Sequence, residues 1–592
     1  MTDSPAFLNV EKSVSGRRWE LRNANDREAL ALSQRFSIPD AVARVLAGRG
    51  IGLEDAQDYL EPSIKNQLPD PSHLLDMDKA VEHIVRAVEN GDKIAVFGDY
   101  DVDGATSSAL LYRFFKMIGV DATVYIPDRI VEGYGPNLQA LKKLHAQGVK
   151  VVVTVDCGTT AFDVLEGAKA VGLDMIVIDH HVAEPRLPDV LALVNPNRLD
   201  DESVHGNLAA VGVAFLFAVA LNRAFKDVGF FASRRPPDLL SLLDLVALGT
   251  VCDVVPLKGV NRALVAQGLK VMAKRANVGI NALSDVAGVD EMPTAYHLGF
   301  QIGPRLNAGG RVGEAALGSR ILSTDNPNEA KEIALHLDKL NQERKGIESI
   351  CLDEAIEQVE NTNMRDGLVY AASEGWHPGV IGIVASRLKE RYNRPACVVA
   401  LENGIGKGSG RSIDGVDLGA AIIGANQAGF LENGGGHKMA AGFTVSESNN
   451  DAFHDYLAER IGEQIGAEGI VPRLSLDGAV SVSGANLDLV QALDRLAPFG
   501  AGNATPRFVL THVRVGDAAI VGTDHVRCRL GAEGGGSSLK GIAFRCADQP
   551  LGDLLLSAKG GMPIHVVGRL QLDTWQGREG VQIIIDDAAP AL

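Results

Sequence analysis

The chain of 592 residues holds only six cysteines, Cys157, Cys252, Cys351, Cys397, Cys528 and Cys546, and no CxxC pair. Single spacing of this kind excludes a zinc knuckle, and in a reducing cytosol such residues are free thiols. Cys157 and Cys252 each adjoin an aspartate of the candidate site below and read as small apolar fillers beside it. No apolar run is long enough to cross a bilayer, which takes about 20 residues. The longest, 209–221, reads as a buried helix. The first residues, MTDSPAFLNVEK, lack the basic start and apolar stretch of a signal peptide. A soluble, cytoplasmic protein is expected. A basic excess is missing too: 57 Lys and Arg stand against 75 Asp and Glu, a net charge of −18. That argues against a generic nucleic-acid coat, though a local basic channel stays open and bound metal ions would offset part of the acid. No order GxxxxGK[ST] occurs, so ATP hydrolysis is not supported. No serine or cysteine nucleophile with a paired base is evident, which leaves water as the nucleophile. No period of 20–50 residues repeats.

Apolar content of 46% and charged content of 22% are ordinary for globular protein, and the length suggests about three to five domains. Residues 1–75 read as a small helical region ending near the Pro-rich LPDPSH. Across 76–325 strands alternate with helices. KIAVFGDYDVDG, DATVYIPDR, VKVVVTVDCGT and DMIVIDHH are apolar runs that stop in polar clusters. This is the signature of a parallel α/β sheet with ligands at the strand C-termini. Residues 326–362 read as one long polar helix of about 45 Å at 1.5 Å per residue, a connector between lobes. A second α/β unit spans 363–470, with two glycine-rich loops, GKGSGRS at 406–412 and NGGGHKMAAG at 433–442. The remainder, 471–592, is β-rich, a small barrel or sandwich.

The candidate ligands all sit where an apolar run stops. Asp101 and Asp103 of GDYDVDG share a side of an extended loop, and Asp99 adds a third carboxylate. Carboxylates this close repel unless a cation lies between them; taken alone, they also fit an N-cap and turn cluster. Asp156, Asp179-His180-His181 and Asp253 close further apolar runs. Mixed oxygen and nitrogen ligands fit Mn²⁺ or Mg²⁺ better than structural zinc. Two such ions about 3.5–4 Å apart serve phosphoester hydrolysis, and a bridging carboxylate would hold the spacing. Arg305, Asn307 and Arg311 in GPRLNAGGR, Ser409 and Arg411 in GSGRS, and Arg129 at the end of YIPDR are candidate phosphate contacts, since Arg forks match phosphate oxygens. His437, on its glycine loop, is a further candidate near a phosphate or base; His377 in GWHPGVIG is a weaker one.

These motifs resemble the DHH phosphoesterase superfamily, and within it the bacterial single-stranded-DNA-specific 5′→3′ exonucleases. GDYDVDGATSSALL, VDCGTT, VIDHH, ALGTVCDVVPL, FQIGPRLNAGGR, GWHPGVIGIVASRL, GRSIDG, GGGHKMAAGF and LAPFGAGNATPRF stand in the expected order from about residue 70 onward. The resemblance implies a catalytic DHH domain, a connecting helix, a DHHA1 substrate-binding domain and a C-terminal OB-fold that binds nucleic acid. It implies two Mn²⁺ or Mg²⁺ ions. Asp101 and Asp103 would ligate different metals, Asp156 would bridge, His180 and Asp253 would hold the second, and His181 would contact the scissile phosphate. Asp99 would ligate or support the site. Arg129, Arg305, Ser409 and Arg411 would read the 5′-phosphate. Phe97 stands where some members carry a polar residue, which implies fewer protein ligands for the first metal. A single-strand-binding protein and a helicase are the implied partners, and DNA repair and recombination the implied setting.

Residues 224–238, AFKDVGFFASRRPPD, look like an insertion, read as a disordered or lid-like loop. Residues 472–592 carry 11 Lys or Arg against 12 Asp or Glu, so the acidic excess lies elsewhere. Phe499, Phe508, Phe544 and Trp575 are candidate stacking residues there. A DHH phosphoesterase of small substrates, such as oligoribonucleotides or nucleotides, is the alternative enzyme; it would lack the flanking regions. An inactive DNA-binding scaffold would have lost ligands that this chain keeps.

Overall fold

The computed structural model describes residues 5–128, 132–133, 135–361, 367–466, 469–532, 534–573 and 579–591. Arg129 and Trp575 lie outside the described residues.

Five parallel strands build the first sheet, in the order Thr123–Tyr125, Lys93–Gly98, Val149–Val155, Asp174–Ile178, Ala192–Val194. Alternate residues of the central strands feed two cores. Val96, Val153, Val155 and Ile176 pack on the helices Met77–Asn90, Val102–Met117 and Ala210–Asp227. Phe97, Val152 and Val177 pack on the helices Leu138–Ala146 and Phe162–Ala170. A sheet covered on both faces keeps only its strand ends for polar chemistry.

The helix Pro327–Asn361 leads to a second sheet, ordered Asn433–His437, Ala440–Ser446, Ile405–Arg411, Ala396–Glu402, Val369–Glu374. The two glycine-rich segments expected as loops are therefore strands. A Cβ at Gly408 would stand 2.0 Å from the ring of Phe443, so the missing side chain is what lets that ring pack across the sheet.

Five strands, Phe508–Val521, His525–Gly531, Ser538–Ala543, Gly580–Pro590 and Ile564–Asp573, close into a barrel, since the first also pairs with the last. The third and fourth run parallel and the other pairs antiparallel; the barrel is an OB-fold. Phe508 is 1% exposed and belongs to the core, which removes it as a stacking residue; Phe499 is half-buried against that core, whereas Phe544 is 51% exposed.

The N-terminal region is not helical throughout. Its strand Arg18–Leu21 pairs in parallel with Arg473–Leu476, and Trp19 Nε1 donates to Asp587 Oδ2 at 3.0 Å. Its helices share a core with the barrel. The segment 224–238 is not a lid. Phe225 closes against Phe230 and Phe231, and Arg234 covers Phe230 while donating to the Ile118 carbonyl at 3.0 Å. Apolar side chains concealed among charged ones make this stretch look like a loop in sequence.

Candidate active site

The loop after Lys93–Gly98 folds back on the helix it feeds. A Cβ at Gly104 would lie 2.4 Å from the Asp99 carbonyl oxygen, so only glycine permits the approach. Asp101 caps that helix, accepting from Gly104 N at 3.0 Å. Asp103, in the first turn of that helix, is buried against the start of Ala210–Asp227. Its Oδ2 accepts from Ala210 N at 2.7 Å and its Oδ1 from Val211 N at 2.9 Å. A helix N-terminus favours a carboxylate there. Asp156 ends Val149–Val155 with φ of 60°, a left-handed conformation that Asp tolerates better than most residues. Asp253 stands at the C-terminus of the helix Leu243–Cys252.

These elements converge on His180. Its Nε2 lies 3.3 Å from Asp156 Oδ1, 3.7 Å from Asp253 Oδ2 and 3.9 Å from Asp103 Oδ2. Its Nδ1 is 3.1 Å from the Leu208 carbonyl. A carbonyl only accepts, so Nδ1 carries the proton and the Nε2 lone pair faces the three carboxylates. The ligand atoms of Asp103, His180 and Asp253 all lie within 4.8 Å of one another, as do those of Asp99, Asp101 and Asp156 and those of Asp156, His180 and His181. Asp156 thus joins the acidic set to the histidines.

Burial and neighbouring carboxylates push Asp253 up to about 9 and Asp103 up to about 7, and hold Asp156 well above the carboxylate range. So much negative charge cannot be ionised in a buried space without counter-charge. Asp253 Oδ2 is buried and has no hydrogen-bond partner among the described residues. An orphaned carboxylate oxygen beside an imidazole lone pair fits a divalent cation.

His181 differs from its neighbour. Its Nδ1 bonds Asp179 Oδ1 at 2.8 Å. Burial draws its pKa down, but Asp179 and the surrounding acids outweigh burial and hold it at about 9. Asp179 in turn is held well below the carboxylate range: burial opposes this, and the bonds from His181 and from Thr159 N prevail. Sequence reading left Asn195 and Asn197 out. Asn195 Nδ2 donates to the His181 carbonyl at 2.8 Å, and Asn197 Nδ2 to the His180 carbonyl at 2.5 Å. Their signal was available: NPN closes the apolar run LALV, as the other site residues close theirs. The Leu208 carbonyl carries no such signal.

The second lobe meets the first at a cavity that Cys252, Asn307 and Arg311 line together with Ile383 and Arg387. Arg411 Nη1 donates to Ser409 Oγ at 3.1 Å. Both side chains lie over Gly382, near the N-terminus of the helix Ile381–Tyr392, where a Cβ would come within 3.1 Å of each. Burial lowers the Arg411 pKa from its usual value. His437 is exposed at the end of the strand Asn433–His437, its Nδ1 accepting from Met439 N at 3.3 Å. Arg311 Nη1 bridges the lobes, donating to the Gly379 carbonyl at 3.0 Å, and lines a cavity together with Asn307. His377 Nδ1 accepts from Gly379 N at 3.0 Å, which shapes the same loop. Arg305 is engaged elsewhere: it bonds Asp338 Oδ1 of the long helix at 2.8 Å and the Gln301 carbonyl at 2.7 Å.

A parallel sheet whose strand ends gather two carboxylate sets around one imidazole, under a lobe with an Arg-lined helix N-terminus, is the framework of a DHH-type phosphoesterase. The chain matches the DHH family, N-terminal domain, over residues 93–250, the DHHA1 domain over 365–463 and the RecJ OB domain over 476–587. It is 37% identical to the single-stranded-DNA-specific exonuclease RecJ of Escherichia coli, covering 98% of this chain and 100% of that one. It is 33% identical to the RecJ of Bacillus subtilis, over 97% of this chain and 71% of the relative. Among solved structures, RecJ of Thermus thermophilus in complex with Mn²⁺ superposes with a TM-score of 0.81 at 28% identity, covering 97% of this chain and 80% of that one. The chain belongs to the RecJ family.

Proposed function

We propose that this chain is a metal-dependent exonuclease that degrades single-stranded DNA from the 5′ end to 5′-mononucleotides. The observation that carries this reading is the meeting, at His180, of two carboxylate sets joined through Asp156. Asp101, Asp103, Asp156, His180 and Asp253 would hold two Mn²⁺ or Mg²⁺ ions, the ions found in two solved structures of the Thermus relative. When bound, such ions supply a more acidic water and Lewis acidity toward the phosphate oxygens.

The chain's own residues do the rest. Asp156, between the sets, fixes their spacing, and Asp99 supports the acidic one. The Leu208 carbonyl keeps the His180 lone pair directed inward. His181, cationic through Asp179, meets the scissile phosphate, while Asn195 and Asn197 anchor the two histidine carbonyls. Ser409, Arg411 and the N-terminus of Ile381–Tyr392 hold the terminal 5′-phosphate, with His437 at the edge; Asn307 and Arg311 line the cleft, and Arg129 belongs with the phosphate contacts. Arg305 fixes the long helix to the catalytic domain and acts on DNA through that placement. Water attacks phosphorus, the P–O3′ bond breaks, and a nucleotide with a free 3′-hydroxyl leaves.

The OB-fold would grip the strand behind the site, in repair and recombination, with a single-strand-binding protein and a helicase as partners. No helix is long and apolar enough to cross a membrane among the described residues; a cytoplasmic setting fits this reading. End-labelled single- and double-stranded DNA and RNA incubated with Mn²⁺ or Mg²⁺ test it. Mononucleotide release from the 5′ end of single-stranded DNA is expected. Cleavage of dinucleotides alone would instead mark a small-substrate phosphoesterase.

A further inference from the structure

A cavity of about 580 Å³ opens at the seam between the N-terminal region and the barrel. The strands Arg18–Leu21 and Arg473–Leu476 pair in parallel, Leu21 beside Leu476, and their pairing stops there. The next two side chains, Arg22 and Asp477, line the cavity. Phe7, Leu21 and Phe508 supply apolar wall. The cavity shares no lining residue with the one at which the two lobes meet.

Three carboxylates and two guanidinium groups face this space. Two of the acids have local reasons to be there. Asp26 and Asp40 begin the helices Asp26–Phe36 and Asp40–Gly48, where the dipole favours a carboxylate. Arg44 bonds both at 2.7 Å. Asp477 has no such account. It is 9% exposed. Its Oδ2 accepts from Arg507 N at 2.9 Å, but its buried Oδ1 has no hydrogen-bond partner among the described residues. Arg22 Nε stands 3.4 Å from that oxygen and forms an ion pair without a hydrogen bond. A buried carboxylate oxygen ordinarily accepts a hydrogen bond, because the unfolded chain takes one from water. Beside Phe7, Leu8 and Asn9 take φ of 56° and 58°. Consecutive left-handed residues without glycine are strained, and such strain gathers at ligand-binding segments.

We propose that this cavity binds a short aliphatic diamine of the cadaverine type, with one ammonium group on Asp477 Oδ1. The ammonium brings the donor that this oxygen lacks. Its charge also balances the excess of three acids over two arginines, a count that disfavours an anion. The alkyl chain lies along Leu21 and Phe7, whose ring face also attracts a cation. The second ammonium reaches the rim at Asp26 and Asp40, both exposed. The volume suits a small ligand. Such a ligand touches both the N-terminal region and the barrel, so its binding stabilises their seam. The inference stands apart from the exonuclease reading.

Calorimetric titration of the full chain with cadaverine at constant ionic strength tests this, with tetramethylammonium as a cation that has no N–H. Cadaverine should bind, and tetramethylammonium should bind at least about tenfold more weakly, the worth of a charge-assisted hydrogen bond. Asp477→Asn keeps an acceptor for Arg507 N but loses the charge. It should weaken cadaverine at least about tenfold, and the rise in Tm that cadaverine gives the wild type should disappear. Arg22→Ala removes the like charge 3.4 Å from the seat of the ammonium and should tighten cadaverine about fivefold. Glu459→Gln, an exposed acid of the second lobe, should leave binding unchanged. A wild type that does not bind cadaverine, equal affinity for the two cations, or wild-type affinity in Asp477→Asn would each overturn the proposal. So would unchanged or weaker binding in Arg22→Ala, or a loss in Glu459→Gln equal to that in Asp477→Asn, which would mark a diffuse charge effect. If Asp477→Asn does not fold, Arg22→Ala alone decides.

Discussion

The guanidinium of Arg262 lies 4.0 Å over the ring of Tyr59, joining the catalytic domain to the N-terminal region. It is 1% exposed, and its hydrogen bonds all go to backbone carbonyls: Tyr59, Leu496 and Ala497 at 2.9, 2.9 and 2.7 Å, with Arg495 at 3.4 Å. Burial draws its pKa down to about 10. One side chain thus satisfies carbonyls of two segments, at residue 59 and at 495–497, and ties both to its own helix. Arg262→Met should destabilise the fold by about 3 kcal/mol, because buried carbonyls lose their donor. Urea unfolding would show it, and a change below about 0.5 kcal/mol would reject the junction role.

Asp156→Ala should lower turnover at least about a thousandfold, the scale expected when a group that spaces two ions is removed. Far-UV circular dichroism should stay unchanged. Wild-type turnover in this variant would end the bridging assignment.

Arg411→Ala should erase the preference for a 5′-phosphate over a 5′-hydroxyl end. A charge-assisted hydrogen bond of about 1.5–3 kcal/mol corresponds to roughly a 10- to 150-fold drop in kcat/KM on phosphorylated substrate. The 5′-hydroxyl substrate should change little. Equal losses on both would place Arg411 outside the terminal pocket.

Cation binding should depend on pH with a definite sign. Asp103 at about 7 and Asp253 at about 9 sit above the unfolded carboxylate near 3.9. Their contribution therefore favours the cation-free fold below about pH 4 and is lost as the pH rises through 7 to 9. A divalent cation must displace those protons. The rise in Tm on adding Mn²⁺ should be larger at pH 8.5 than at pH 6, and calorimetry at pH 6 in buffers of different ionisation enthalpy should register proton release. Identical Tm gains at both pH values would contradict this.

Much of the site is legible because a parallel sheet buried on both faces leaves its polar residues at the strand ends. Asp99, Asp156 and Asp179 each follow an apolar run, and that rule would also have found Asn195. Asp103 shows where legibility stops. Its two bonds go to backbone N–H groups 107 and 108 residues away, which no local pattern encodes. The same holds for Leu208, which sets the His180 tautomer through a carbonyl any residue possesses. The glycine strands misread as loops because glycine signals turns by its own preference, whereas here Gly408 makes room for Phe443, a tertiary requirement. Arg18–Leu21 is too short to show alternation, and its partner stands at the far end of the chain. Phe508 and Phe544 are the same residue type in equally β-rich sequence, and only closure of the barrel decides which one faces water.

The pairing of Trp19 with Asp587 spans 568 residues. At about 5–20 residues per second, Trp19 leaves the ribosome roughly half a minute to two minutes before its acceptor exists. During that interval the catalytic and second lobes can fold as units, while the N-terminal helices wait with the apolar face that the barrel will cover. Completion of the last strand is therefore a late assembly event. A nascent chain that stalls before it presents an unmatched strand edge and an uncovered indole, the features by which chaperones and proteases distinguish an unfinished protein from a finished one.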